Sequence, residues 1–134
     1  MPYVEILGPR ANESRKREVA GVITRGIVDS FGVVPSTVTI YFQPIEAENY
    51  AHEGSLGHQG AGARIFVKVH AYRRTPAERR AVANAVTPAI AACFDTPGHN
   101  VAVYFLDRER DEVAHDGHLA SDELPSTTDN LASP

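Results

Sequence analysis

The chain has 134 residues, 43% of them hydrophobic, with 17 acidic against 13 basic side chains and a formal net charge of −4. This length carries one compact domain, while half of it sits near the lower limit for independent folding. The negative balance argues against nucleic acid or an anionic membrane as a partner, and a single cysteine, Cys93, excludes an internal disulfide and a cysteine-rich metal site.

Pro2 precedes the first β-rich run, Tyr3-Val4-Glu5-Ile6-Leu7. A small second residue permits removal of Met1, which leaves a prolyl secondary amine whose proton affinity responds to burial and to neighbouring cations. Asn12 or Ser14 caps a helix on which Val19, Val22, Ile23, Ile27 and Phe31 recur at helical spacing, and Gly32 and Pro35 end it. Thr37-Val38-Thr39-Ile40-Tyr41-Phe42, β-branched and aromatic, predicts a second strand, and Ile65-Phe66-Val67-Lys68-Val69-His70 a third. Thr75-Pro76 open a second helix with Ala77, Ala81, Val82, Ala85, Val86, Ala89, Ile90 and Phe94 as its apolar stripe, before a fourth strand at Val101-Ala102-Val103-Tyr104-Phe105. From about Leu119 to Pro134 no periodicity survives, so a tail is expected there, mobile or draped on a partner. No run is long and apolar enough to span a bilayer and no secretory leader is apparent, which makes the cytoplasm the expected location.

The elements repeat. A shift of 63 positions superposes Arg17 on Arg80, Val19 on Val82, Ile27 on Ile90, Phe31 on Phe94, Val38 on Val101, Tyr41 on Tyr104, Phe42 on Phe105, His52 on His115 and Gly54 on Gly117, among thirteen identities between residues 16 and 54. The chain is therefore two copies of a β-α-β unit of about sixty residues. The expected fold is α+β: tandem units, 2–62 and 63–118, form one domain over 1–118 with a four-stranded mixed sheet and both helices on one face. Apolar strands without a second helical layer predict a homo-oligomer that covers the open face.

Pro2, a short strand, an arginine near its end, a helix, a second strand and a glycine-containing hairpin, all duplicated, resemble the tautomerase superfamily in its fused, two-unit form. The resemblance covers residues 2 to 118; Arg74-Thr75-Pro76 with Ala77-Glu78-Arg79-Arg80 resembles the family's strand-to-helix segment, and Arg10 with Ala11-Asn12-Glu13 is its counterpart in the first unit. It implies a tautomerase/MIF-like fold, commonly a trimer, and catalysis by the N-terminal proline without a cofactor. Ile65-Phe66-Val67 and Val103-Tyr104-Phe105 resemble cis-3-chloroacrylic acid dehalogenase, whose catalytic tyrosine falls on Tyr104. Its catalytic histidine falls on Ile27, the first of its paired arginines on Tyr72, and its water-activating glutamate on or near His115, which argues against dehalogenation.

The position equivalent to Pro2 in the second unit is Ile65, internal to the chain, so one copy alone can present the amine. An amine in an apolar pocket beside Arg10, Arg73 or Arg74 loses proton affinity and becomes a general base near neutral pH, while a guanidinium holds a carboxylate. The expected catalytic residues are Pro2, Arg74 and Tyr104, with Arg10, Arg73 and His115 binding a small carboxylic acid. Keto-enol isomerisation of a 2-keto or 2-hydroxydienoate acid follows; the alternatives are a hydratase, dehalogenase or decarboxylase with protonated Pro2 as acid, and a non-catalytic oligomeric binding protein. His52, His58, His115 and His118 lie near two predicted hairpins without an H-E-x-x-H spacing, so no metal is expected.

Overall fold

The computed structural model describes residues 2–58 and 62–123. Strand β1 (Tyr3–Gly8) leads into helix α1 (Glu13–Phe31), strand β2 (Thr39–Pro44) and a hairpin of β3 (Ala51–His52) and β4 (Ser55–Leu56). The second unit repeats this with β5 (Ile65–Tyr72), α2 (Pro76–Cys93), β6 (Val101–Arg108) and a hairpin of β7 (Ala114–His115) and β8 (His118–Leu119). Both two-residue turns have positive φ at each central residue, Glu53-Gly54 and Asp116-Gly117, the backbone twist that suits a tight hairpin.

The main sheet has the order β2-β1-β5-β6. Within each unit the strands are parallel, joined by a crossover helix, whereas β1 and β5 meet antiparallel, Tyr3 opposite His70 and Leu7 opposite Phe66. That central join turns the second unit head to tail against the first, so the start of β1 lies at the end of β5.

Each helix forms where its caps and apolar spacing agree. Asn12 accepts the Arg15 N–H at 2.8 Å, and Gly32, at φ 67°, closes α1 in the left-handed conformation that glycine adopts without strain. Thr75 and Glu78 form a reciprocal capping box at the start of α2, with Pro76 in its first turn. The core faces are repeat-equivalent: Val19, Ile23, Ile27 and Phe31 on α1 match Val82, Val86, Ile90 and Phe94 on and just after α2, all buried against Val4, Ile6, Ile65, Val67 and Val69. The expected stripe on α2 is narrower than its sequence spacing implies, because Ala77, Ala81 and Ala85 are exposed. Methyl side chains are too short to reach the sheet from the flank, and Ala85 instead lets α1 approach at Gly26, where an added Cβ would stand 3.3 Å from the Ala85 methyl.

The stretch expected to be tail begins with structure: His118–Leu119 closes the second hairpin and Ala120 is buried with Tyr72 and Val113. Residues 124–134 lie outside the described part. No helix among the described residues is long and apolar enough to cross a membrane.

Candidate active site

Pro2 is buried, and its carbonyl accepts the Thr39 N–H at 3.3 Å, which fixes the start of β1 against β2. One further step of the β1/β5 register sets Pro2 opposite Ala71. Strand β5 ends at Tyr72, so Arg73 and Arg74 leave it in the turn to α2 rather than from alternate faces of a strand, and both stand at the Pro2 end of the sheet. Arg74 is half-buried; Nη1 donates to the Tyr72 carbonyl at 2.9 Å and to the Arg73 carbonyl at 3.4 Å, and the guanidinium lies 4.8 Å from the centre of the Phe31 ring. Burial pulls its pKa down, opposed by Glu78 and assisted by Arg110. Arg73 is exposed and pairs with Asp107 at 3.0 Å, whose other oxygen takes Arg79.

The remaining predicted residues are spread more widely. Arg10 follows the far end of β1, roughly 25 Å from Pro2 at strand rise, and pairs with Glu46 at 2.6 Å while 74% exposed. Tyr104, 52% exposed, stands on the open face in register with Lys68 and stacks on Phe66 at 5.7 Å. His115 is exposed in register with His118, on the hairpin whose base packs on Tyr72 through Val113 and Ala120. One protomer thus brings Pro2, Arg73 and Arg74 to one end, places the His115 hairpin beyond it, and leaves Arg10 and Tyr104 apart. Tyr72 is buried, which raises its phenol pKa, and carries the Arg110 guanidinium 4.7 Å above its ring. Among the described residues no group of three or more His, Cys, Asp or Glu side chains is arranged to hold a metal ion.

The open face is more polar than apolar strands alone imply. Glu5, Gln43, Lys68, His70 and Arg108 share it with Tyr3, Tyr41, Phe66 and Tyr104, because each alternates with a core residue along its strand. His70, 4% exposed, is bonded to Glu5 at 2.6 Å and to Arg108 at 3.2 Å, and Tyr3 stacks flat on it. Glu5 is held below its ordinary pKa by the His70 hydrogen bond first, against the opposing effect of burial. Sequence reasoning passed over this cluster; its one signal is polar residues interrupting the alternation of otherwise apolar strands.

Two β-α-β units fused in one chain around an antiparallel join, with both helices on one face, define the tautomerase fold in its two-unit form. The chain superposes on a wild-type fused 4-OT asymmetric trimer with a TM-score of 0.80 at 23% identity, covering 90% of this chain and 97% of that one. It also superposes on Pt0534 inactivated by 2-oxo-3-pentynoate (TM-score 0.77, 20% identity, 89% and 96% covered). A member of the cis-3-chloroacrylic acid dehalogenase family follows at TM-score 0.71 and 20% identity, with 88% and 82% covered. No protein-family model and no curated protein sequence matches the chain.

Proposed function

We propose that the protein is a cofactor-independent tautomerase in which the Pro2 amine, freed by loss of Met1, is the general base for keto-enol isomerisation of a small 2-keto or 2-hydroxydienoate acid. The observation that carries this is the burial of Pro2 at the one sheet end to which the antiparallel join also delivers Arg73 and Arg74. Desolvation and cationic neighbours both disfavour a protonated amine. Pro2 nitrogen takes the enol hydroxyl proton, the electron pair forms the C2 carbonyl, and the resulting prolinium returns the proton to carbon. A guanidinium that grips the substrate carboxylate also stabilises charge developing on the adjacent oxygen.

Fused 4-OT, whose fold this chain shares, forms trimers. In a homotrimer of this chain the open face is covered, and Arg10 and Tyr104, distant from Pro2 in their own protomer, serve the site of a neighbour, with His115 on the hairpin at its rim. The test uses protein shown by mass spectrometry to lack Met1. Pro2→Ala should slow enol-to-keto conversion by about 100- to 10,000-fold, wild-type activity should rise with pH through the amine's pKa, and 2-oxo-3-pentynoate should modify the N-terminal residue alone. Undiminished conversion by Pro2→Ala ends this reading.

A further inference from the structure

Four side chains, one from each strand, form a hydrogen-bonded diagonal across the open face. Gln43 Nε2 on β2 donates to Glu5 Oε1 on β1 at 3.1 Å, His70 Nε2 on β5 donates to Glu5 Oε2 at 2.6 Å, and Arg108 Nη2 on β6 donates to His70 Nδ1 at 3.2 Å. The direction of the bonds follows from Arg108. A guanidinium has donors only, so Nδ1 offers its lone pair and the imidazole proton lies on Nε2, aimed at the carboxylate. A proton on Nδ1 would set two donors face to face. Tyr3 lies parallel to the imidazole with ring centroids 4.2 Å apart, which holds the ring in that orientation.

The diagonal therefore ends on a half-buried guanidinium that leans on a neutral acceptor. The neighbouring arginines are engaged differently: Arg73 and Arg79 share Asp107, Arg74 donates to backbone carbonyls, and Arg110 lies over Tyr72. Among the described residues, the His70 imidazole is the one polar partner of Arg108. A fixed positive charge with most of its planar fork unfilled is suited to a planar anion. Its place fits the Pro2 site: Arg108 is the register partner of Tyr72, and Pro2 stands opposite Ala71. Two strand spacings, about 10 Å, separate Arg108 from Pro2, a gap that an arginine side chain and a small acid bridge together.

We infer that Arg108 binds the carboxylate of the ligand at the Pro2 site, and that His70, backed by Glu5, is the positioning residue that fixes its guanidinium. The ligand class is a small 2-oxo carboxylic acid. The inference rests on the tautomerase reading for the identity of the site, but binding tests it without turnover.

Calorimetric titration of the mature protein with 2-oxopentanoate, and in parallel with its methyl ester, reads the effect. Arg108→Gln should weaken the acid by about 10- to 100-fold and leave the ester unchanged, and Arg108→Lys should recover part of the loss. His70→Phe keeps the stack on Tyr3 but removes the acceptor, and should weaken the acid by a smaller factor; His70→Gln, whose amide oxygen still accepts from Arg108, should lose less. Unchanged acid binding by Arg108→Gln, or equal loss of acid and ester, overturns the inference. If Arg108→Gln does not assemble, the Arg108→Lys and His70→Phe titrations decide by the same acid-against-ester criterion. Pro2→Ala separates the two readings: full turnover by that variant, with acid binding still dependent on Arg108, defeats only the general-base proposal. Loss of turnover with binding indifferent to Arg108 defeats only this one.

Discussion

At the end of the sheet where β1 finishes, Gly8, Pro9, Ala11 and Lys16 surround a cleft of about 130 Å³ backed by Ile6, Phe42 and Phe94. At the opposite end, where β5 finishes, the repeat-equivalent Ala71, Tyr72, Arg74 and Arg79, backed by Val69, Phe105 and Phe31, surround no space for water. The backing residues are matched in kind, and the mouths are not. Glycine stands against alanine, proline against tyrosine and alanine against arginine, while Arg79 is tied to Asp107 where the first unit has Pro44. Duplication preserved the packing layer and released the rim. The open cleft lies beside Ile65, which is internal to the chain, and the closed one lies at the end of the sheet where Pro2, the proposed general base, is buried. With the rim of Ala71, Tyr72, Arg74 and Arg79 closed, the proposed substrate is directed to the open-face side, where the diagonal of Gln43, Glu5, His70 and Arg108 ends.

The matched layer gives the largest expected effect. Ile27 and Ile90 are both 0% exposed at equivalent positions, so Ile27→Ala and Ile90→Ala should each cost about 2–5 kcal/mol in chemical denaturation, with nearly equal values. A clear inequality would break the equivalence of the two packing layers.

The polar diagonal spans both units and has no repeat-related copy, because the repeat partner of Glu5 is Lys68 and that of His70 is Leu7. The folded-state pKa of Glu5 lies below its ordinary 4.5. Its contribution is therefore complete above pH 4.5 and is lost as pH falls through the folded value. Glu5→Gln should destabilise by about 1.5–3 kcal/mol at neutral pH, and by progressively less as acid protonates the wild-type carboxylate. Urea midpoints measured from pH 7 down to pH 3 check this, and parallel curves for the two proteins would refute it.

The smallest effect sharpens the contrast between the rims. A Cβ at Gly8 would stand 2.9 Å from Ile65 Cδ1 and 3.0 Å from Phe94 Cε1, whereas Ala71 already holds that methyl at the other end. Gly8→Ala should cost about 1 kcal/mol, overpacking partly offset by the lower entropy of the unfolded chain. A thermal melt that shifts upward instead would show that the open cleft accepts what the closed one contains.

Much of the fold was legible because local and long-range signals agreed. The 63-residue offset, the caps at Asn12 and Thr75 and the helical spacing of Ile27 and Ile90 each state the same unit twice. The site was less legible. Pro2 is visible from its place in the chain, but whether Arg10 or Arg74 stands near it depends on the direction in which β1 meets β5, and no residue pattern within a strand encodes that direction. His70 and Arg108 are far apart in sequence and unremarkable as residue types; they become partners through diagonal neighbours on adjacent strands.

The sequence by itself determined the doubled β-α-β plan, its helix ends and its buried faces, since periodicity and capping are properties of nearby residues. Tertiary structure alone decided which arginines share an end with Pro2, which cleft is open, and that Glu5, His70 and Arg108 form one chain of hydrogen bonds. The physical reason is the antiparallel central join: it sets the register between units, and every distance across the sheet follows from that register.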